Sequence, residues 1–91
     1  MADYHIFETP DTLDQYKQAS AKFLDALGRV VYPVLREDPT NESGRFPISY
    51  EDGWYTFEVE TAGGGLYYLA YQAIEELHRV LVFRLTTFRE P

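Results

Sequence analysis

The 91-residue chain contains no cysteine, so neither a disulfide framework nor a thiolate metal site can be built from it. It is poor in positive charge: eight Lys and Arg stand against fifteen Asp and Glu, a formal net charge of −7. A field of that sign repels nucleic acid at long range, which argues against affinity built mainly on phosphate contacts. Long apolar runs are missing too. The stretches around residues 30–35 and 80–83 fall far short of the roughly 20 residues a membrane helix requires. MADYHIFETP has no basic segment followed by an apolar one, so no secretory leader and a cytoplasmic location are expected. What the chain does have is a folding composition, 45% hydrophobic and 16% aromatic, unlike that of disordered sequences. Its length suits one domain, residues 1–91, around one modest core.

Residues 4–8 are short and rich in β-formers and read as a first strand. Thr9-Pro10-Asp11 then signals a helix start: a hydroxyl cap, proline at the first helical position and acid in the first turn. Leu13, Tyr16, Phe23, Leu24 and Leu27 recur at helical spacing and predict one buried face. Ser20 caps a second helix through Val30, Val31, Val34 and Leu35, bent at Pro33 and ended by Asp38-Pro39. Residues 36–53 are polar and aperiodic, a long loop pinned by Phe46 and Ile48. Three alternating strands come next, at 54–60, 66–72 and 79–88. Tyr55, Phe57, Val59, Tyr67, Leu69, Tyr71, Leu81, Phe83 and Leu85 form the inward set. Trp54, Thr56, Glu58, Tyr68, Gln72, Arg84 and Thr86 form the outward one. The fold class is α+β, in the order βααβββ, with two helices on one face of an antiparallel sheet.

Most chemical motifs resolve into ordinary structure. Gly63-Gly64-Gly65 lacks the lysine and helix of a phosphate loop and reads as a hairpin turn. Glu75, Glu76 and His78 lack a second histidine and read as a solvated turn, so no metal site is assigned. No nucleophilic triad and no cofactor motif is found. The remaining constellation is the outward sheet face. Trp54, Tyr68 and Arg84 offer two aromatic planes and a guanidinium, with Arg89 at the strand end, which suits base stacking and phosphate contact. The alternative is that Trp54 and Tyr68 pack under the loop or a partner, and that Arg84 pairs with Glu58 across the sheet.

The helical run TLDQYKQASAKFLDALGRVVYPVLREDP and the strands GGLYYLAYQAIEELHRVLVFRLTTFRE resemble the RelE/ParE family of bacterial toxins, over residues 7–90. The resemblance implies the toxin component of a type II toxin–antitoxin pair. Such a toxin acts on translation, by metal-independent and cofactor-free mRNA cleavage on the ribosome, or on DNA gyrase. It implies a cognate antitoxin and either ribosome and mRNA or gyrase as partners, with homodimerisation left open. The lysines of the ribonuclease branch fall at Thr56 and Glu58, its strand-three arginine falls at Tyr68, and its late arginine is retained as Arg89. The expected catalytic residues are therefore Arg89, Arg84 and Tyr68, with Trp54, Arg45 and Thr56 binding substrate. The competing expectation is a non-catalytic protein-binding module of the same fold with an acidic surface.

Overall fold

Two hydroxyl-capped helices packed on a five-stranded sheet account for most of residues 3–90, the span that the computed structural model describes. The Thr9 hydroxyl accepts the Thr12 N–H at 3.2 Å and Pro10 opens α1 (Pro10–Gln18). Ser20 repeats the device, accepting the Phe23 N–H at 3.1 Å to start α2 (Ala21–Ala26). The expected bend at Pro33 takes a specific form. α2 runs through a π-helical stretch, Leu27–Val31, into α3 (Tyr32–Glu37). Pro33 has no N–H and its ring crowds the carbonyl one turn back, so the Tyr32 N–H reaches the more distant Leu27 carbonyl instead. The Asp38 N–H then closes on the Val34 carbonyl at 2.7 Å and the helix ends.

Phe23, Val31 and Leu35 are fully buried and Tyr16 and Leu27 nearly so, whereas Leu13 and Leu24 remain 45% and 41% exposed. The expected single face fails at those two positions because Ala19 is extended, which breaks the helical phase between α1 and α2. Within α1 the buried positions are Thr12 and Tyr16, one turn apart, and Leu13 lies a residue off that line.

The sheet order is β1-β5-β4-β3-β2, with β1 His5–Glu8, β2 Ile48–Glu51, β3 Trp54–Glu60, β4 Leu66–Ile74 and β5 Arg79–Arg89. It is mixed rather than antiparallel throughout, since β1 lies parallel to β5 after the helical crossover. Nor is 36–53 entirely loop. Asp52 and Gly53, with φ of 55° and 92°, form a two-residue turn that folds Ile48–Glu51 back onto β3.

β5 departs most from simple alternation. Ala70 pairs with Arg84 but Tyr71 pairs with Val82, and Tyr67 pairs with Thr87 but Leu66 with Arg89. Phe83 and Phe88 are therefore extra residues, two β-bulges that each shift the parity of inward and outward positions beyond them. Val80 and Val82 are buried with Leu85, while Leu81 and Phe83, expected inside, are not. α1 supplies hydrogen-bond partners beside the first bulge. The Gln15 side-chain carbonyl accepts the Leu85 N–H at 2.8 Å, and the Thr12 hydroxyl donates to the Val82 carbonyl at 3.3 Å.

The core is rich in phenols, and their hydroxyls have partners. Tyr67 meets the Ser20 hydroxyl at 3.0 Å and Tyr71 donates to the Pro39 carbonyl at 2.8 Å. Tyr16 meets Tyr32 at 2.9 Å, and Tyr32 donates to the Glu8 carboxylate at 2.8 Å, tying α1, α3 and β1 together. Burial pushes the Tyr16 phenol up to about 12 and also raises those of Tyr32 and Tyr71.

Candidate functional site: the open face of the sheet

The helices cover one side of the sheet, so the alternate residues of β3 and β4 and the off-core residues of β5 form an open face. Cross-strand pairing sets it out in rows. Glu51 pairs with Trp54, Ser49 with Thr56, Ala70 with Thr56 and Arg84, and Tyr68 with Glu58 and Thr86. The bulged phenylalanines both emerge here: the Phe83 ring meets Trp54 edge-on at 5.6 Å, and Phe88 meets Tyr68 edge-on at 6.0 Å. Phe7 of β1 extends the apolar surface beneath the Arg79 guanidinium, 5.3 Å from its ring centre.

Thr56, Glu58 and Tyr68 come together in a shallow concavity of about 320 Å³, walled by Phe46, Pro47, Ile48 and Ser49. Its elements are placed by two hairpin turns and by the Glu58 N–H bonding the Pro47 carbonyl at 2.9 Å. A larger hollow of about 510 Å³ runs along the free edge of β1 beside Tyr32 and Arg36, and none of the six candidate residues lines it.

The other candidates sit around this concavity rather than in it. Trp54 is at the far end of β3, 36% exposed against Phe83. Arg84 is exposed on the Thr56 row, and among the described residues it makes no ion pair; Glu58 lies one row away, so the expected Arg84–Glu58 bridge is not formed. Arg89 Nε donates to the Gly64 carbonyl at 2.7 Å, which ties this guanidinium to the β3–β4 turn. Arg45 lies over the Phe46 ring at 5.5 Å. Its loop is organised by the Asp38 carboxylate, which accepts from the Glu42 N–H at 2.8 Å and the Ser43 hydroxyl at 2.7 Å. Burial pushes the Asp38 carboxyl up, but these hydrogen bonds outweigh it and hold the group below its ordinary value. Among the described residues no three His, Asp or Glu side chains cluster as metal ligands would, and His78 is stacked on Tyr4 at 5.1 Å.

Alternation alone missed Phe83 and Phe88 as surface residues. Their signal was present in VLVF and TTF, where consecutive similar residues interrupt the period of two.

No family model and no curated relative matches the sequence. Solved structures do match. A chain of the Mycobacterium tuberculosis toxin–antitoxin complex RelBE2 superposes with a TM-score of 0.74 at 16% identity, over 93% of this chain and 98% of that one. The fold is RelE-like. The intact Escherichia coli RelBE toxin–antitoxin complex gives a TM-score of 0.66 at 19% identity, covering 96% and 99% of the two chains. The isolated Escherichia coli RelE toxin gives 0.68 at 19% identity, covering 97% and 87%. The RelE-like fold is thus built from a sequence that differs from those chains at most positions. No helix among the described residues is long and apolar enough to cross a membrane.

Proposed function

We propose that this chain is the toxin component of a toxin–antitoxin pair, a single cytoplasmic domain silenced by a cognate antitoxin and acting on translation through its open sheet face. The observation that carries the reading is the face itself: Trp54 and Tyr68 present aromatic edges and planes beside an exposed Arg84 that makes no ion pair among the described residues, on a RelE-like fold. Bases would stack on Trp54 and Tyr68, while Arg84 and Arg45 would hold phosphate and Arg89 would brace the turn beneath it. Thr56 would contact the backbone from the concavity floor. Cleavage needs a proton acceptor for a ribose hydroxyl, and Glu58 is the carboxylate in the concavity, facing Tyr68 across the strand pair.

A second reading is favoured by that same Glu58. A carboxylate opposes phosphate at short range, and only a few cations surround it, so the face also suits a protein partner with no chemistry involved. Induced expression in a bacterium separates the two. The toxin reading expects growth arrest with falling protein synthesis, relieved by Arg84→Ala and by Tyr68→Ala with the fold retained. Harmless high-level expression of soluble protein refutes it and leaves the binding module.

A further inference from the structure

The open face carries two opposed columns of charge. Glu51 on β2 and Glu58 and Glu60 on β3 lie along one flank, while Arg79, Arg84 and Arg89 lie along β5 on the other. β4 separates the columns. Along the middle lie the aromatic pairs Trp54–Phe83 and Tyr68–Phe88, with Phe88 66% exposed. Among the described residues no ion pair joins the two columns within the chain.

We propose that this face is a self-association surface, covered by a second copy of the same chain across a two-fold axis parallel to β4. Rotation about that axis exchanges the flanks, so β5 of each protomer lies over β3 of its partner. The β5 arginines then lie over β3: Arg89 meets Glu60 on the same row, while Arg84 lies over Thr56 and reaches Glu58 diagonally, one row along, twice over by symmetry. The aromatic band stacks on its own image, as two sheets in an aligned sandwich do. The available area is sufficient. Strands of 4, 4, 7, 9 and 11 residues, about 3.3 Å per residue and about 4.8 Å apart, present about 550 Å² in flat projection, and protruding side chains such as Phe88 bring the contact surface towards the roughly 800 Å² per partner of a standard interface. Charge complementarity selects the occupant. A polyanion would satisfy the arginines but meet Glu58 and Glu60 unpaired, whereas a second copy sets those two glutamates against β5, with Glu51 left at the rim over the partner's β1. The chain's net charge of −7 opposes pairing at long range, so association should tighten with moderate salt before the ion pairs are screened.

Self-association would cover the face that the toxin reading gives to RNA, so the dimer is the form in which that face is closed, and growth arrest tests the toxin reading separately. Trp54 is the sole tryptophan, so its emission reports this face alone. Sedimentation velocity of the full chain, taken up to about 100 µM, should show mass doubling that coincides with a blue shift of Trp54 emission. Glu58→Arg and Arg84→Glu should each weaken association by about tenfold, and the two combined should restore it. A chain that stays monomeric over that range overturns the proposal, as does a dimer in which Trp54 emission does not move. A monomer whose Trp54 emission shifts on adding a single-stranded RNA oligonucleotide also overturns it, and assigns the face to nucleic acid.

Discussion

On the helix side of the sheet, β3 and β4 bury Phe57, Val59, Tyr67, Leu69 and Tyr71 almost completely, whereas the same strands leave Trp54, Glu58 and Tyr68 partly open on the other. The helix side is specified by volume and by hydroxyl partners, so each side chain has one place. The open side is specified by rows and columns, and its residues make few contacts within the chain. Substitutions on the first side should therefore act as changes in folding, and those on the second as changes in association or activity.

The largest effect should come from the helix side. Phe23→Ala removes a fully buried ring that packs 4.6 Å from Tyr67, and should cost about 3–5 kcal/mol in urea unfolding. Gln15→Ala leaves the Leu85 N–H without its partner and should cost about 1–3 kcal/mol, with Gln15→Glu recovering most of it at neutral pH. A third effect is pH-dependent. Folding raises the Tyr16 phenol from 10.0 to about 12, so the folded state holds a proton that the unfolded state releases. Its stabilising contribution is complete below pH 10 and is lost as pH rises towards about 12. Alkaline melts followed by circular dichroism should show that slope, and Tyr16→Phe should make it shallower, the raised Tyr32 and Tyr71 phenols supplying the remainder. Smallest should be Phe88→Ala, within about 0.5 kcal/mol of wild type despite the size of the ring. If Phe88→Ala destabilises the monomer as much as Phe23→Ala does, the contrast between the two faces collapses.

Much of this architecture is legible in the residues. Thr9-Pro10 and Ser20 announce both helix starts through caps that act locally, and Pro33 announces the irregular turn. The inward set on β3 and β4 follows from alternation because those strands pair without interruption over their central residues. β2 escaped because only four residues pair, amid a polar stretch, although Asp52-Gly53 is a strong hairpin signal in its own right. The burial of β5 escaped because a bulge is a relation between two strands and leaves only a faint local mark. Of the candidate site, the concavity joining Thr56 and Tyr68 follows from strand facing, since both lie on the outward side. The tether of Arg89 to Gly64, the parting of Arg84 from Glu58 and the ring of Phe46 beneath Arg45 depend on register and loop closure, which one strand's pattern does not contain.

The two bulges of β5 have a consequence for how such a strand can change over generations. Each holds a residue with no partner of its own on β4, so the flanking pairs, Tyr71 with Val82 and Ala70 with Arg84, stay matched whether or not it is present. Losing Phe83 would restore plain alternation and still leave Arg84 outward and Leu85 buried. Losing Leu81 instead would turn Val80 out of the core and slide β5 along β1. Changes of length in this strand are therefore tolerated chiefly at the bulges. A lineage that gains or loses a residue there keeps a backbone that superposes, while gap-free matching of its residues fails.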